Sequence, residues 1–219
     1  MYEIKDLFDL SHTKAGAYLS GFTYPWEALS DLKTQILELG EKLDKSRYRE
    51  IADGIWIEKS ATIAPTAQIN PPCIIGAGSE IRHCAFIRGS VLIGENCVVG
   101  NSVELKNAVL FDGAQVPHFN YVGDSILGYK AHLGAGAVTS NVKSDKAPVV
   151  IKDGDKRIET GRKKLGAMLG DFVEVGCNSV LNPGTIVGRN ARIYPLSCVR
   201  GTVKANHIYK TNGQQTIIE

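Results

Sequence analysis

The chain has 219 residues, enough to bury a core, and its 25 basic and 23 acidic side chains leave a net charge of +2. A balance so near neutral gives no electrostatic ground for a nucleic-acid or membrane partner. The N-terminus carries no charged-then-apolar signal pattern, and no apolar run approaches the roughly 20 residues of a membrane span, so a cytoplasmic location is expected.

Residues 1 to 25, with Gly16, Gly21 and Pro25, read as an irregular lead-in. An amphipathic helix is expected from Trp26 to about Leu43, because Trp26, Leu29, Leu32, Ile36, Leu39 and Leu43 recur at three- and four-residue steps. Pro25 is well placed at its start, and Gly40 weakens its last turn. The helix is expected to pack on the first coil and cap an open sheet end, which would otherwise invite aggregation. A docking surface for a partner protein is the alternative use of the same face.

From there isoleucine or a close substitute returns every sixth position: Ile57, Ile63, Ile69, Ile75, Ile81, Ile87, Ile93, Val99, Leu105 and Phe111. A smaller series accompanies it, including Ala61, Cys73, Ala85, Cys97, Val103 and Val109. The phase resumes at Leu169, Val175, Leu181, Val187, Ile193 and Val199. A period of six fits neither the 3.6 of a helix nor a plain alternating strand; it is the period of a hexapeptide β-helix. The expected fold class is all-β, a parallel β-helix of hexapeptide repeats behind an N-terminal α-helical segment. The divisions are 1–54 for lead-in and helix, 55–205 for the coil and 206–219 for the tail. Few aromatics (7%) and 23 glycines suit a narrow, corner-rich coil. Both series point inward, which leaves Ile74, Phe86, Leu92, Val98 and Leu110 facing out. That is more apolar surface than a free wall carries, and burial against other subunits in a closed cyclic oligomer is expected. Cys73 and Cys97 fall on the small series as core filler. Cys84, Cys177 and Cys198 are scattered without a CxxC pair, the pattern of reduced thiols rather than of disulfides or a metal site.

Between about 142 and 166 the hexad is lost, and Lys143, Lys146, Lys152, Lys156, Arg157, Arg162, Lys163 and Lys164 accumulate. Insertions in repeat coils map to loops, often on the binding face. This one reads as a basic loop able to contact an anion such as phosphate. The tail, with Ile208, Tyr209, Ile217 and Ile218, is expected to add a short strand or strap.

Chemistry is expected where the repeat fails. The ladder ends after Phe111, since Val116 follows at five residues rather than six. The run Pro117-His118-Phe119-Asn120-Tyr121-Val122-Gly123-Asp124 comes next, then Leu133-Gly134-Ala135-Gly136-Ala137-Val138-Thr139-Ser140-Asn141. His118 is the candidate general base, because histidine ordinarily titrates near neutral pH; a structural histidine is the plainer reading.

The stretch Val99 to Val142, VGNSVELKNAVLFDGAQVPHFNYVGDSILGYKAHLGAGAVTSNV, resembles the acetyltransferase half of the bifunctional glucosamine-1-phosphate acetyltransferase/UDP-N-acetylglucosamine pyrophosphorylase family. The later GRKKLGAMLGDFVEVGCNSVLNPGTIVGRNARIYP is similar to archaeal-type bifunctional sugar-1-phosphate nucleotidylyltransferase/acetyltransferases, as is Tyr24-Pro25-Trp26-Glu27. The resemblance implies a left-handed coil, which periodicity alone does not supply, and a homotrimer with active sites between subunits. It implies acetyl-CoA as cosubstrate, an amino-sugar phosphate such as glucosamine 1-phosphate as acceptor, and a place in nucleotide-sugar biosynthesis.

By the same resemblance His118 matches the catalytic base, and the Ala135 amide the donor to the thioester oxyanion. Arg88 and Lys106 match the residues holding the sugar phosphate, and Tyr121 and Asn141 match sugar contacts. Lys146 stands for a substrate lysine displaced by one residue. Cys177 and Pro195 replace small residues that touch acetyl-CoA, and His132 stands where the bacterial family has asparagine. The segment before the coil holds neither the Gly-rich loop of a nucleotidyltransferase nor room for that domain. Two other functions stand beside this one. A non-catalytic coil could oligomerise or regulate a separate nucleotidyltransferase. A metal enzyme of the carbonic-anhydrase-like β-helix type would need three histidines, and His83, His118 and His132 do not have its spacing.

Overall fold

A computed structural model describes residues 1–218. The coil is a left-handed β-helix of three walls joined by parallel ladders. Wall one carries Ile55–Glu58, Cys73–Ile75, Val91–Ile93, Ala167–Leu169, Thr185–Val187 and Thr202–Val203. Wall two carries Thr62–Ile63, Glu80–Ile81, Val98–Asn101, Gln115–His118, His132–Leu133, Glu174–Val175, Arg192–Ile193 and His207–Tyr209. Wall three carries Gln68–Ile69, Phe86–Ile87, Val138–Thr139, Val180–Leu181 and Cys198–Val199. Two long strands, Glu104–Leu110 and Tyr121–Leu127, run from wall three round the corner into wall one.

Ile57 pairs with Ile75 and Ile75 with Ile93, so three hexads make one coil and equivalent side chains stack. Their aligned β-branched and small side chains fill the interior with Cys73 and Cys97, which are fully buried. Several corners turn on residues in the left-handed region, with Asn96, Asn107, Asn178, Asn190 and Asn206 at φ between 53° and 58° or, for Asn107, 48°. Asparagine tolerates that region better than most side chains.

The phase breaks earlier than the sequence pattern indicates. Asn107 and Asp124 turn the corner between walls three and one at φ 48° and 49°. Each tightened corner removes one residue: Leu105 to Leu110 and Val122 to Leu127 are both steps of five. As a result Ala108 and Leu110 point inward, while Val109 and Phe111 point outward. This corrects three assignments, because Val109 and Phe111 were expected inside and Leu110 outside. Val116 is inward as expected, but it follows Leu110 at a regular six.

The outward wall-one residues Trp56, Ile74, Leu92, Val109, Phe111, Ile126, Met168 and Ile186 are buried without any second subunit. The N-terminal segment lies over them. It contains α1 (Ile4–Leu7), α2 (Gly16–Leu19) and α3 (Leu32–Glu41), and contributes Leu7, Phe8, Leu19, Trp26, Leu29, Leu32 and Ile36. The Phe8 and Phe111 rings sit 5.1 Å apart. Ile74 and Leu92 are therefore covered by their own chain, and the expectation that another subunit buries them is overturned. Each fully buried aliphatic side chain contributes about 1.5–3 kcal/mol, which explains why a helical segment follows a β wall so closely.

The expected single helix from Trp26 to Leu43 is instead a 3-10 turn (Glu27–Ser30) and α3, divided at Asp31 (φ −114°, ψ 13°). Tertiary bonds occupy the break: the Asn107 amide donates to the Leu29 carbonyl (3.4 Å), and Arg162 donates to the Ser30 hydroxyl (2.5 Å). Gly40 packs its bare Cα against the Trp56 ring, where a Cβ would collide. The helix lies on the side of wall one rather than across the coil's end. At that end Tyr48–Ala52 pairs antiparallel with Ile55–Glu58 and covers the edge of wall one, while Ile63 and Ile69 on the first rungs of the other two walls stay partly exposed.

The insertion is a β-hairpin, Val150–Asp153 with Lys156–Glu159, that buries Val149, Ile151 and Leu165 in the same outer cluster. The tail is a second hairpin: His207–Tyr209 adds the last parallel rung of wall two and Gln215–Ile217 folds back on it. Glu219 lies outside the described residues.

Candidate active site along the corner between walls two and three

One corner carries a continuous backbone ladder. The carbonyls of His83, Asn101, His118, Ala135 and Cys177 accept, in turn, from the amides of Ser102, Phe119, Gly136, Asn178 and Leu196. His118 pairs with Asn101 across the strands. His118, Ala135, Cys177 and then Pro195 therefore occupy successive rungs of one column, roughly 4.8 Å apart.

His118 is exposed at this corner. Its Nδ1 lies 3.4 Å from Asn101 Oδ1. The next residue, Phe119, takes a left-handed φ of 52° and stands 61% exposed. One rung on, the Ala135 amide has no acceptor among the described residues. A free N–H beside an exposed imidazole is what acyl transfer needs: a base for the nucleophile and a donor for the oxyanion.

Asn120 ties the two rungs together. It is 2% exposed; its amide donates to the Gly134 and Ala137 carbonyls (both 2.9 Å), and its Oδ1 accepts from the His118 N–H (3.1 Å). All three side-chain bonds hold the Ala135 turn against the His118 backbone. Sequence reasoning missed this residue. The signal was present, because Asn120 stands in the small inward series between Val103 and Ala137 once the shortened coils are allowed for.

Wall three next to this corner is polar over the two long strands. Arg88 donates to Glu104 (2.6 Å), an ion pair that raises the guanidinium pKa, and Lys106 Nζ lies 4.0 Å from Asp124. The Asn141 amide donates to Asp124 (2.6 Å) and to the Tyr121 hydroxyl (3.1 Å). Burial pushes the Tyr121 phenol upward, helped by the negative charges of Asp124 and Glu104 and opposed by Asn141 and Arg88. Lys106 and Asn141 thus converge on the buried Asp124 carboxylate, which also accepts from Asn107 (2.8 Å), and Tyr121 joins them through the Asn141 amide. Arg162 approaches from the insertion. It is half-buried, its pKa is lowered by burial, and its Nε has no partner. Asp124 and Arg162 were not singled out as site residues in the sequence. Asp124 became visible only with the tightened corner that places it beneath Lys106 and Asn141.

The remaining candidates lie apart. Lys146 stands in an exposed turn with no bond to this cluster. His132 faces out from wall two, paired with Glu174 at 2.8 Å. Cys177 and Pro195 are exposed on the corner column. Among the described residues no group of three His, Cys, Asp or Glu is arranged to hold a metal ion, and no helix is long and apolar enough to cross a membrane.

Two family models match: the GMPPB C-terminal domain over residues 80–156, and the six-repeat bacterial transferase hexapeptide over residues 54–89. A bifunctional sugar-1-phosphate nucleotidylyltransferase/acetyltransferase of Sulfurisphaera tokodaii is 37% identical over 161 residues, 74% of this chain and 40% of that protein. The bifunctional protein GlmU of Methanococcus aeolicus is 31% identical over 216 residues, 94% of this chain and 52% of its own length. The chain thus spans about half the length of these relatives, or less. Among solved structures, GDP-perosamine N-acetyl transferase of Caulobacter crescentus is 13% identical, with 70% of this chain and 51% of that one covered at a TM-score of 0.33. AntD, an N-acyltransferase from Bacillus cereus, is 18% identical, with 71% and 74% covered at 0.39. Scores that low do not bear on function. The likeness rests on the sequence relatives: over 74–94% of its length the chain is homologous to the C-terminal, hexapeptide-repeat β-helix part of the bifunctional sugar-1-phosphate nucleotidylyltransferase/acetyltransferases.

Proposed function

We propose that the chain is an acetyl-CoA-dependent N-acetyltransferase acting on an amino-sugar phosphate, with glucosamine 1-phosphate as the first acceptor to test. It works as a homotrimer whose neighbouring protomers close each corner into a cleft. The observation that carries this reading is the bond from the Gly136 amide to the His118 carbonyl (3.0 Å), which sets an exposed imidazole beside the unpartnered Ala135 amide. The names of the sequence relatives agree with it.

In this mechanism Nδ1–H of His118 donates to Asn101, which leaves Nε2 free to accept a proton. The sugar amine attacks the thioester carbonyl carbon as Nε2 takes the amine proton. The Ala135 amide donates to the resulting oxyanion, a contribution of about 3–4 kcal/mol. On collapse the C–S bond breaks, the new C–N bond remains, and the coenzyme thiolate recovers the proton from the imidazolium. Arg88 and Lys106 hold the sugar phosphate through charge-assisted bonds. Tyr121 and Asn141 orient the ring. Cys177 and Pro195 line the coenzyme's path along the corner.

Thiol release from acetyl-CoA, measured with several amino-sugar phosphates, tests the proposal. His118→Ala is expected to lower turnover by at least about a hundredfold with the assembly intact; near-normal turnover removes His118 from the mechanism. No thiol release with any amino-sugar phosphate, together with tight binding to a separate nucleotidyltransferase, would establish the non-catalytic alternative instead.

A further inference from the structure

The insertion hairpin builds a second feature that the proposed reaction does not use. Between the hairpin and the corner that leads from wall three into wall one lies a groove of about 500 Å³. Among the described residues Lys143, Lys152, Arg157 and Arg200 line it, with Glu159 as the one carboxylate. They come from three separated parts of the chain: the start of the insertion, the two strands of the hairpin, and the penultimate rungs of the coil.

The hairpin alternates strictly. Ile151, buried, and Ile158 face the outer cluster, while Val150, Lys152, Arg157 and Glu159 face the groove. In that register Lys152 stands directly opposite Arg157. Like charges directly opposed across a strand pair destabilise it. Lys143 has a partner in Asp145 (3.1 Å), but among the described residues Lys152, Arg157 and Arg200 take no carboxylate partner. An uncompensated like-charge pair facing a concavity is the arrangement an anion would relieve.

The platform is held in place. The Thr202 hydroxyl donates to the Lys152 carbonyl (2.8 Å), and the Met1 ammonium pairs with Asp153 (2.5 Å). Gly184 makes close docking possible, because a Cβ there would meet Val149 at 2.7 Å and its φ is 78°. A second lobe of about 320 Å³ shares Lys143, Asn182, Pro183 and Arg200 and extends to Ser140, the neighbour of Asn141. The groove therefore opens toward the polar end of wall three.

We infer that this groove binds an organic di- or polyphosphate anion, with Lys152, Arg157 and Arg200 as its cationic contacts. Two sources carry that chemistry, the phosphates of coenzyme A and a nucleoside diphosphate. The inference takes only the groove's neighbourhood from the proposed acetyl transfer; binding itself needs no turnover.

Calorimetric titration of the intact protein with inorganic pyrophosphate, coenzyme A and UDP tests it, using wild type, Lys152→Gln/Arg157→Gln and Arg200→Gln. The double variant is expected to bind pyrophosphate at least tenfold more weakly, with an unfolding temperature unchanged or raised because the like-charge pair is gone. Arg200→Gln leaves the hairpin untouched and is expected to weaken binding in the same direction. A parallel loss for coenzyme A alone identifies the coenzyme as the source, and a loss for UDP alone identifies a nucleoside diphosphate. Wild-type protein that binds none of the three probes, or variants that bind all three as wild type does, would overturn the inference. Pyrophosphate binding is read without acetyl-CoA or an acceptor, so failure of acetyl transfer and failure of the groove are read separately.

Discussion

Wall one and wall three are built from the same repeat and point the same residue types inward, yet their outer faces differ. Wall one presents Trp56, Ile74, Leu92, Val109, Ile126, Met168 and Ile186, all buried under the N-terminal segment. Wall three presents Gln68, Phe86, Glu104, Tyr121, Val138, Val180 and Cys198, with Phe86 and Val180 each 37% exposed. The hexad constrains only what enters the coil. The outer positions are free to encode a partner, and on wall one that partner is the chain's own helical segment. Wall three stays open and polar where its strands are longest, and there Lys106 and Asn141 gather round Asp124.

The contrast can be broken in several ways. Leu92→Ala, on the covered wall, is expected to cost about 2–5 kcal/mol in denaturant unfolding, because the α3 packing cannot collapse fully into the void. A smaller loss would mean that the N-terminal segment is only loosely docked. Asn120→Ala comes next. It removes the side-chain donor from the Ala137 carbonyl, at about 1–3 kcal/mol for a buried group left unpaired, while the Gly134 carbonyl keeps the Ala137 N–H. It is also expected to lower kcat by about ten- to a hundredfold through misplacement of the Ala135 turn, with the KM for sugar little changed. A variant whose kcat and KM both match wild type would make Asn120 a purely structural residue.

On the open wall, Phe86→Ser is expected to change monomer stability by no more than about 0.5 kcal/mol while weakening self-association in sedimentation. If it instead unfolds the protomer, the wall is not free. Thiol labelling gives the mildest test. Cys84, Cys177 and Cys198 are expected to react in the native protein, and Cys73 and Cys97 only after unfolding. Burial pushes the Cys97 thiol to about 12 and raises Cys73 as well, so neither supplies thiolate. Labelling of Cys97 under native conditions would mean that the coil opens.

Much of the coil was legible because its signal is repeated: Ile57, Ile75 and Ile93 report one position three times over. The candidate base and its neighbour were legible from the resemblance, and the structure puts His118 and Ala135 on adjacent rungs. Single events were not legible. A one-residue shortening at Asn107 leaves no mark in composition, yet it turned Phe111 from an interior residue into the partner of Phe8. The helix from Trp26 failed for a related reason: Asn107 and Arg162, distant in sequence, take the Leu29 carbonyl and the Ser30 hydroxyl where the helix divides.

By itself, then, the sequence determined the hexad coil and most of its small and large inward residues, because burial in a narrow prism selects side chains with a fixed period. Only the tertiary structure decided which wall the N-terminal segment covers, where the corners tighten, and that the hairpin sets Lys152 against Arg157 beside Arg200. Those outcomes depend on contacts between residues far apart in the chain, and no local spacing records them.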